Sequence, residues 1–157
     1  FLVAFILAIP VWKEKPAKKY SKFYRLMYNN YVHFALSFFG IKVVVNGLDK
    51  IPQDSKFIMV QNHRSNIDPM LLDVVLRKYP LIFVSKDTLF KIPFFGKIIR
   101  HIGYVKLTRK TGVDDANQIV RGLRWVRSGE CSLCVYPEGT RNKTFPKEKG
   151  CDFHNRE

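Results

Sequence analysis

Residues 56–79 read KFIMVQNHRSNIDPMLLDVVLRKY, and the period of their apolar positions changes part-way along. Lys56–Gln61 holds the short continuous run Phe57-Ile58-Met59-Val60, which reads as a strand. From Pro69 to Tyr79 the apolar residues Leu71, Leu72, Val75 and Leu76 recur at helical spacing. Between them lies a polar turn, Asn62–Asp68, in which Asp68 and Pro69 have the chemistry of an N-cap and first helical position. A strand therefore hands over to a helix here, with His63 and Asp68 at the junction.

The same alternation extends on both sides. Ile41–Val45 reads as a strand turned by Asn46-Gly47, and Leu81–Ser85 as a buried strand. Phe94–His101 reads as a short helix, Gly103–Leu107 as a strand, and Asp114–Arg127 as an amphipathic helix ended near Gly129. Cys131–Tyr136 is the last clear strand. Strands alternating with helices imply an α/β fold, a largely parallel mixed sheet flanked by helices. Functional groups in such sheets collect at the carboxyl ends of the strands.

Before residue 40 the pattern differs. Residues 1–12, FLVAFILAIPVW, carry no charge. As a helix they would cover roughly 18 Å, short of a hydrocarbon core of roughly 30 Å. They read as the end of a spanning helix or as a re-entrant or interfacial anchor, with a buried helix before a solvated linker as the plainer alternative. Lys13, Lys15, Lys18, Lys19, Lys22 and Arg25 follow, a basic cluster suited to the anionic cytoplasmic face of a membrane. Residues 20–39 then carry apolar or aromatic side chains at 20, 23, 24, 27, 28, 31, 34, 35 and 38. That stripe suits a core-packing helix and equally one lying on lipid. The expected division is 1–40, membrane-anchoring or interfacial helices, and 41–157, the α/β domain.

The chain of 157 residues is 46% hydrophobic, which excludes disorder, and its net charge of +14 calls for an anionic partner. Nucleic acid would account for the charge but not for the uncharged apolar start. Cys131, Cys134, Cys151 and His154 have zinc-like spacing. Residues three apart on a strand face opposite ways, however, so buried strand thiols are expected and no metal site.

Three strand ends carry chemistry. His63 has the side chain of a general base and Asp68 that of a carboxylate able to hold its tautomer; a turn histidine and a plain helix cap account for the same two residues. Lys86 and Arg109 each follow a strand, and Tyr136-Pro137-Glu138-Gly139-Thr140-Arg141 leaves the last one. Arg141 offers a planar fork for phosphate, and Gly139 permits a close or left-handed backbone. A surface ion pair would explain any one of these cations. No G-x-S-x-G elbow and no phosphate-cradling glycine loop is present in the sequence.

Taken in order, Asn62-His63 with Asp68, the block Gly103–Arg109, and Pro137-Glu138-Gly139-Thr140-Arg141 resemble the glycerolipid acyltransferase family, most of all its 1-acyl-glycerol-3-phosphate acyltransferases. Lys86, Pro93 and Gly96 are similar to the family's intervening run, while Tyr136 and Asn142 depart mildly from its Phe and Ser. The resemblance covers roughly residues 41–145. It implies that His63 is the base on the free hydroxyl of lysophosphatidic acid, with Asp68 orienting it. It also implies that Lys86, Arg109, Glu138, Gly139, Thr140 and Arg141 serve the acceptor phosphate. Acyl-CoA or acyl-carrier protein would be the co-substrate, with no cofactor and no nucleic acid, at a membrane with the site on its cytoplasmic face. Glycerol-3-phosphate or another lysophospholipid as acceptor, or a non-catalytic basic lipid-binding module, are the alternatives. The family's later Pro-centred apolar strand has no counterpart in the polar ending KEKGCDFHNRE, so the domain is expected to be incomplete at its C-terminus.

Overall fold

The computed structural model describes residues 17, 20–110 and 112–139. The apolar segment 1–12, Lys13, Lys15, Lys18, Lys19, Thr140, Arg141, Asn142, Cys151 and His154 lie outside the described residues.

Helix α1 (Lys22–Phe38) is followed by strand β1 (Ile58–Val60), helix α2 (Asp68–Val75), strand β2 (Leu81–Lys86) and helix α3 (Phe95–Ile102). Strand β3 (Val105–Leu107), helix α4 (Gly112–Arg127) and strand β4 (Ser132–Val135) complete the order among the described residues. The four strands form one sheet in the order β1-β4-β2-β3, all parallel. The expected α/β architecture with a parallel sheet is what these residues build, and the boundaries differ from expectation mainly at strand and helix ends.

Burial follows the sheet order. β2 is central, and its run Leu81-Ile82-Phe83 is excluded from water, as are Leu133 and Cys134 of β4. Each such side chain contributes about 1.5–3 kcal/mol by leaving water. β1 lies at the edge, so Ile58 and Val60 stay exposed while Met59 packs on the core. Cys131 and Cys134 are buried thiols as expected, and burial pushes both up to about 12.

The expected strand Ile41–Val45 is not one. Its backbone forms no ladder among the described residues, and Val44 is 86% exposed. Strand propensity records how well β-branched side chains pack on neighbouring strands, and none of the described strands lies beside this segment to supply that surface. The chain then turns at Gly47, left-handed as its place after Asn46 suggests, into a 3-10 turn over Leu48–Lys50.

The stripe read along residues 20–39 also changes. The face of α1 that packs inward is Arg25, Tyr28, Asn29, Val32 and Leu36. Phe23, Tyr31, Phe34 and Phe38 of the expected stripe are exposed, together with Leu26 and Phe39. Arg25, read as part of a surface basic cluster, is buried. It pairs with the Asp73 carboxylate of α2 and donates to the Leu81 carbonyl at 2.7 Å. Tyr104 donates its hydroxyl to Asp73 Oδ2 at 2.8 Å. With its amide turned so that the nitrogen faces α2, Asn29 donates to the Asp73 carbonyl at 3.0 Å and accepts from Arg25 Nε at 3.1 Å, the orientation that satisfies both groups. A lone buried carboxylate forces this, because it draws the nearest guanidinium inward to offset its lost hydration.

Gly96 opens α3 against the 3-10 turn Asp87–Lys91, and a Cβ there would lie 2.2 Å from the Phe90 carbonyl oxygen. That neighbour is backbone and cannot swing aside. Gly96→Ala is expected to cost about 1–3 kcal/mol through overpacking, read as a lower thermal unfolding midpoint.

Candidate active site

All four strands run parallel, so their carboxyl ends share one rim of the sheet. Across that rim the order is His63 after β1, then Tyr136–Gly139 after β4, Lys86 at the end of β2, and Arg109 after β3. Residues 73 positions apart in sequence, His63 and Tyr136, thereby become neighbours, with ring centroids 4.5 Å apart.

The His63–Asp68 junction is held from within its own turn. Asp68 Oδ2 accepts the backbone N–H groups of Arg64 and Ser65, each at 2.7 Å, and lies 3.1 Å from His63 Nδ1. Asp68 begins α2, with Ile67 in the cap position and Pro69 in the first turn. The expected N-cap role is thus corrected: the carboxylate reaches back to the turn before the helix, because three donors converge there. Three bonds fix the carboxylate, and the fixed carboxylate orients the ring. Nδ1–H donating to Asp68 leaves the lone pair on Nε2, the nitrogen of a general base. Both side chains are mostly shielded, at 21% and 15% exposed, yet still reachable from the rim.

Tyr136 closes this end. Its ring lies against His63 on one side and stacks on Phe83 at 6.4 Å on the other. Burial raises its hydroxyl, which stays protonated across the physiological range.

At the far end, Arg109 donates from its guanidinium to the Gly139 carbonyl on the loop after β4. Gly139 has φ +62°, a conformation glycine takes without steric cost. The Tyr136 carbonyl accepts its N–H at 3.1 Å, closing the Pro137-Glu138 turn. Glu138 is half-buried on that turn, and Lys86 is exposed between the two ends. Of the expected site residues, His63 and Asp68 form one pair, and Arg109 and Gly139 another. Lys86 and Glu138 lie on the same rim, and Thr140 and Arg141 fall outside the described residues.

Residues 42–154 match the acyltransferase family. The chain belongs to that family. Among the proteins this acyltransferase chain resembles, the 1-acyl-sn-glycerol-3-phosphate acyltransferase of Borreliella burgdorferi is 31% identical over 104 residues, covering 66% of this chain and 41% of that protein. The probable 1-acyl-sn-glycerol-3-phosphate acyltransferase of Mycoplasma pneumoniae is 34% identical over 130 residues, covering 80% of this chain and 46% of that one. The chain therefore spans less than half the length of these two relatives. The crystal structure of the 1-acyl-sn-glycerophosphate (LPA) acyltransferase PlsC from Thermotoga maritima shares the fold, with a TM-score of 0.64 at 24% identity over 89% of this chain and 53% of that one.

Two contributors to the acyltransferase rim were not singled out from the sequence. Tyr136 departs from the family's Phe, and nothing local in the sequence signals that it meets the His63 ring. Asp115, in the first turn of α4, accepts from Thr108 N at 2.7 Å, Thr108 Oγ1 at 3.1 Å and Arg109 N at 2.6 Å. These bonds hold its carboxyl below the usual carboxylate range, the Thr108 N–H most of all. Its position at the start of a helix concealed this role, since acidic residues are common there.

Proposed function

We propose that this acyltransferase moves a fatty acyl group from a thioester, acyl-CoA or acyl-carrier protein, to the free hydroxyl of lysophosphatidic acid. The observation that carries the reading is the His63–Asp68 pair at 3.1 Å, with the carboxylate fixed by two backbone N–H groups. In this mechanism Nε2 of His63 takes the hydroxyl proton as the acceptor oxygen attacks the thioester carbonyl. The new C–O bond forms, the C–S bond breaks, and the imidazolium returns its proton to the departing thiolate. Asp68 stabilises the transient imidazolium. No protein nucleophile is required, because the acceptor supplies the attacking oxygen. Lys86, Arg109 and the Glu138-Gly139-Thr140-Arg141 loop would receive the acceptor phosphate, for which Arg forks suit the geometry.

The acceptor is a lipid, and the surface is consistent with meeting it at a membrane. Phe23, Leu26, Phe34, Phe38 and Phe39 are exposed along and just after α1, and Val44 follows them. Aromatic and basic side chains together favour an anionic interface, with the site on its cytoplasmic side. Among the described residues no helix is long and apolar enough to cross a membrane.

The test mixes the full-length protein in detergent with acyl-CoA and lysophosphatidic acid and follows thiol release. Acyl transfer to lysophosphatidic acid ahead of glycerol-3-phosphate or other lysophospholipids supports the reading. Binding to acidic liposomes with no thiol release would favour a non-catalytic lipid-binding module instead.

A further inference from the structure

Arg109 is one of two non-glycine residues with positive φ, at +59°, among the described residues. A side chain held there costs on the order of 1–3 kcal/mol and persists only where its surroundings over-determine it. The surroundings are specific. The Asp115 carboxylate takes the Thr108 N–H, the Thr108 hydroxyl and the Arg109 N–H. All three donors lie outside the helix that carries Asp115, so the carboxylate organises the exit of β3 rather than capping its own helix. The held segment then spans a gap: β3 and β4 are not neighbours, since β2 lies between them. At about 4.8 Å per strand the two ends stand roughly 10 Å apart. The Arg109 guanidinium bridges that gap to the Gly139 carbonyl. A Cβ at Gly139 would sit 3.2 Å from Arg109 Nη2, so the guanidinium packs directly against the Gly139 backbone.

We propose that Asp115 is a positioning residue for the acceptor end of the site. Its carboxylate sets Thr108-Arg109 so that Arg109 clasps the Gly139 carbonyl and fixes the turn carrying Glu138. The inference deepens the proposed function, and its kinetic arm rests on that reading. Arg109 on this account does two things at once, bracing the loop and presenting its remaining N–H groups on the rim.

The experiment uses the full-length protein with Asp115→Ala, Arg109→Ala and the double variant, with lysophosphatidic acid as acceptor and acyl-CoA as donor. Asp115→Ala is expected to raise the acceptor KM about ten-fold, the size of one lost charge-assisted hydrogen bond, with the donor KM unmoved. The double variant should be no worse than Arg109→Ala alone, because Asp115 acts through Arg109. Asp115→Asn, which keeps one acceptor oxygen, should fall between. Additive losses, or a lowered unfolding midpoint with an unchanged acceptor KM, would overturn the proposal. A crystal structure of the Asp115→Ala protein supplies a readout independent of turnover. Arg109 leaving the left-handed region and releasing Gly139 is the expected result, and an unchanged Arg109–Gly139 contact would overturn the proposal. If the wild type transfers no acyl group while the variant structure changes as expected, the functional reading fails and the positioning role stands.

Discussion

His63→Ala is expected to lower acyl transfer to lysophosphatidic acid by about 10²- to 10⁴-fold, the range that a positioned general base supplies. The fold should survive it. Within the described site the His63 side chain contacts Asp68 Oδ2 and the Tyr136 ring, while Asp68 keeps its two backbone donors from Arg64 and Ser65. The unfolding midpoint of the variant should therefore stay near that of the wild type. Asp68→Ala is a less clean probe, because it removes the acceptor that shapes the Arg64-Ser65 turn as well as the partner of the ring. The measurement is thiol release at saturating acyl-CoA, with circular dichroism on the same preparation. Turnover near the wild-type rate would remove His63 from the chemistry.

The second large effect concerns stability. Arg25→Ala is expected to cost about 3–5 kcal/mol, since it strips a buried carboxylate of its counter-charge. In a domain of this size that lowers the thermal midpoint by on the order of 10 °C. It would also leave the Leu81 carbonyl and the Asn29 amide without the guanidinium they contact. A drop of only a degree or two would show that Arg25 is not the partner that makes burial of Asp73 tolerable. The pair has a pH signature as well. Burial raises the Asp73 carboxyl to about 6, from 3.8, against the pull of Arg25 and the Tyr104 hydroxyl. Between those two pH values the folded chain holds a proton that the unfolded chain has released. The contribution of Asp73 to stability therefore rises as pH falls from 7 toward 4, and is lost as pH rises through about 6. Comparing denaturant unfolding of the wild type and Asp73→Asn across that window isolates it. The difference should move toward the wild type at low pH by on the order of 2–3 kcal/mol. A difference that stays flat would contradict the raised carboxyl.

Parts of this molecule were legible in the order of its residues because the forces that shape them are local. The run Phe57–Val60, the turn after it and the return of apolar positions at helical spacing place a strand, a junction and a helix with no knowledge of what packs on them. The same holds for Leu81–Ser85 and for the turn at Gly47. Other parts were opaque because they depend on partners distant in sequence. Arg25 looks like one more residue of a basic cluster until Asp73, 48 positions on, is buried beside it. Ile41–Val45 has every preference of a strand and, among the described residues, lacks a strand to pair with. Tyr136 could not be told from a core aromatic until β1 and β4 were adjacent.

The sequence by itself determined the alternation of strands and helices, the family, and the candidate side chains for the proposed chemistry, since periodicity, turn residues and motif order are properties of neighbouring positions. Only the tertiary structure decided who stands beside whom. The strand order β1-β4-β2-β3 sets His63 against Tyr136 and carries Arg109 across to Gly139. Burial of Asp73 turns Arg25 inward and leaves the aromatic side of α1 exposed. The reason is the same in each case: strand pairing and desolvation act between segments, and their energies exist only once the segments have met.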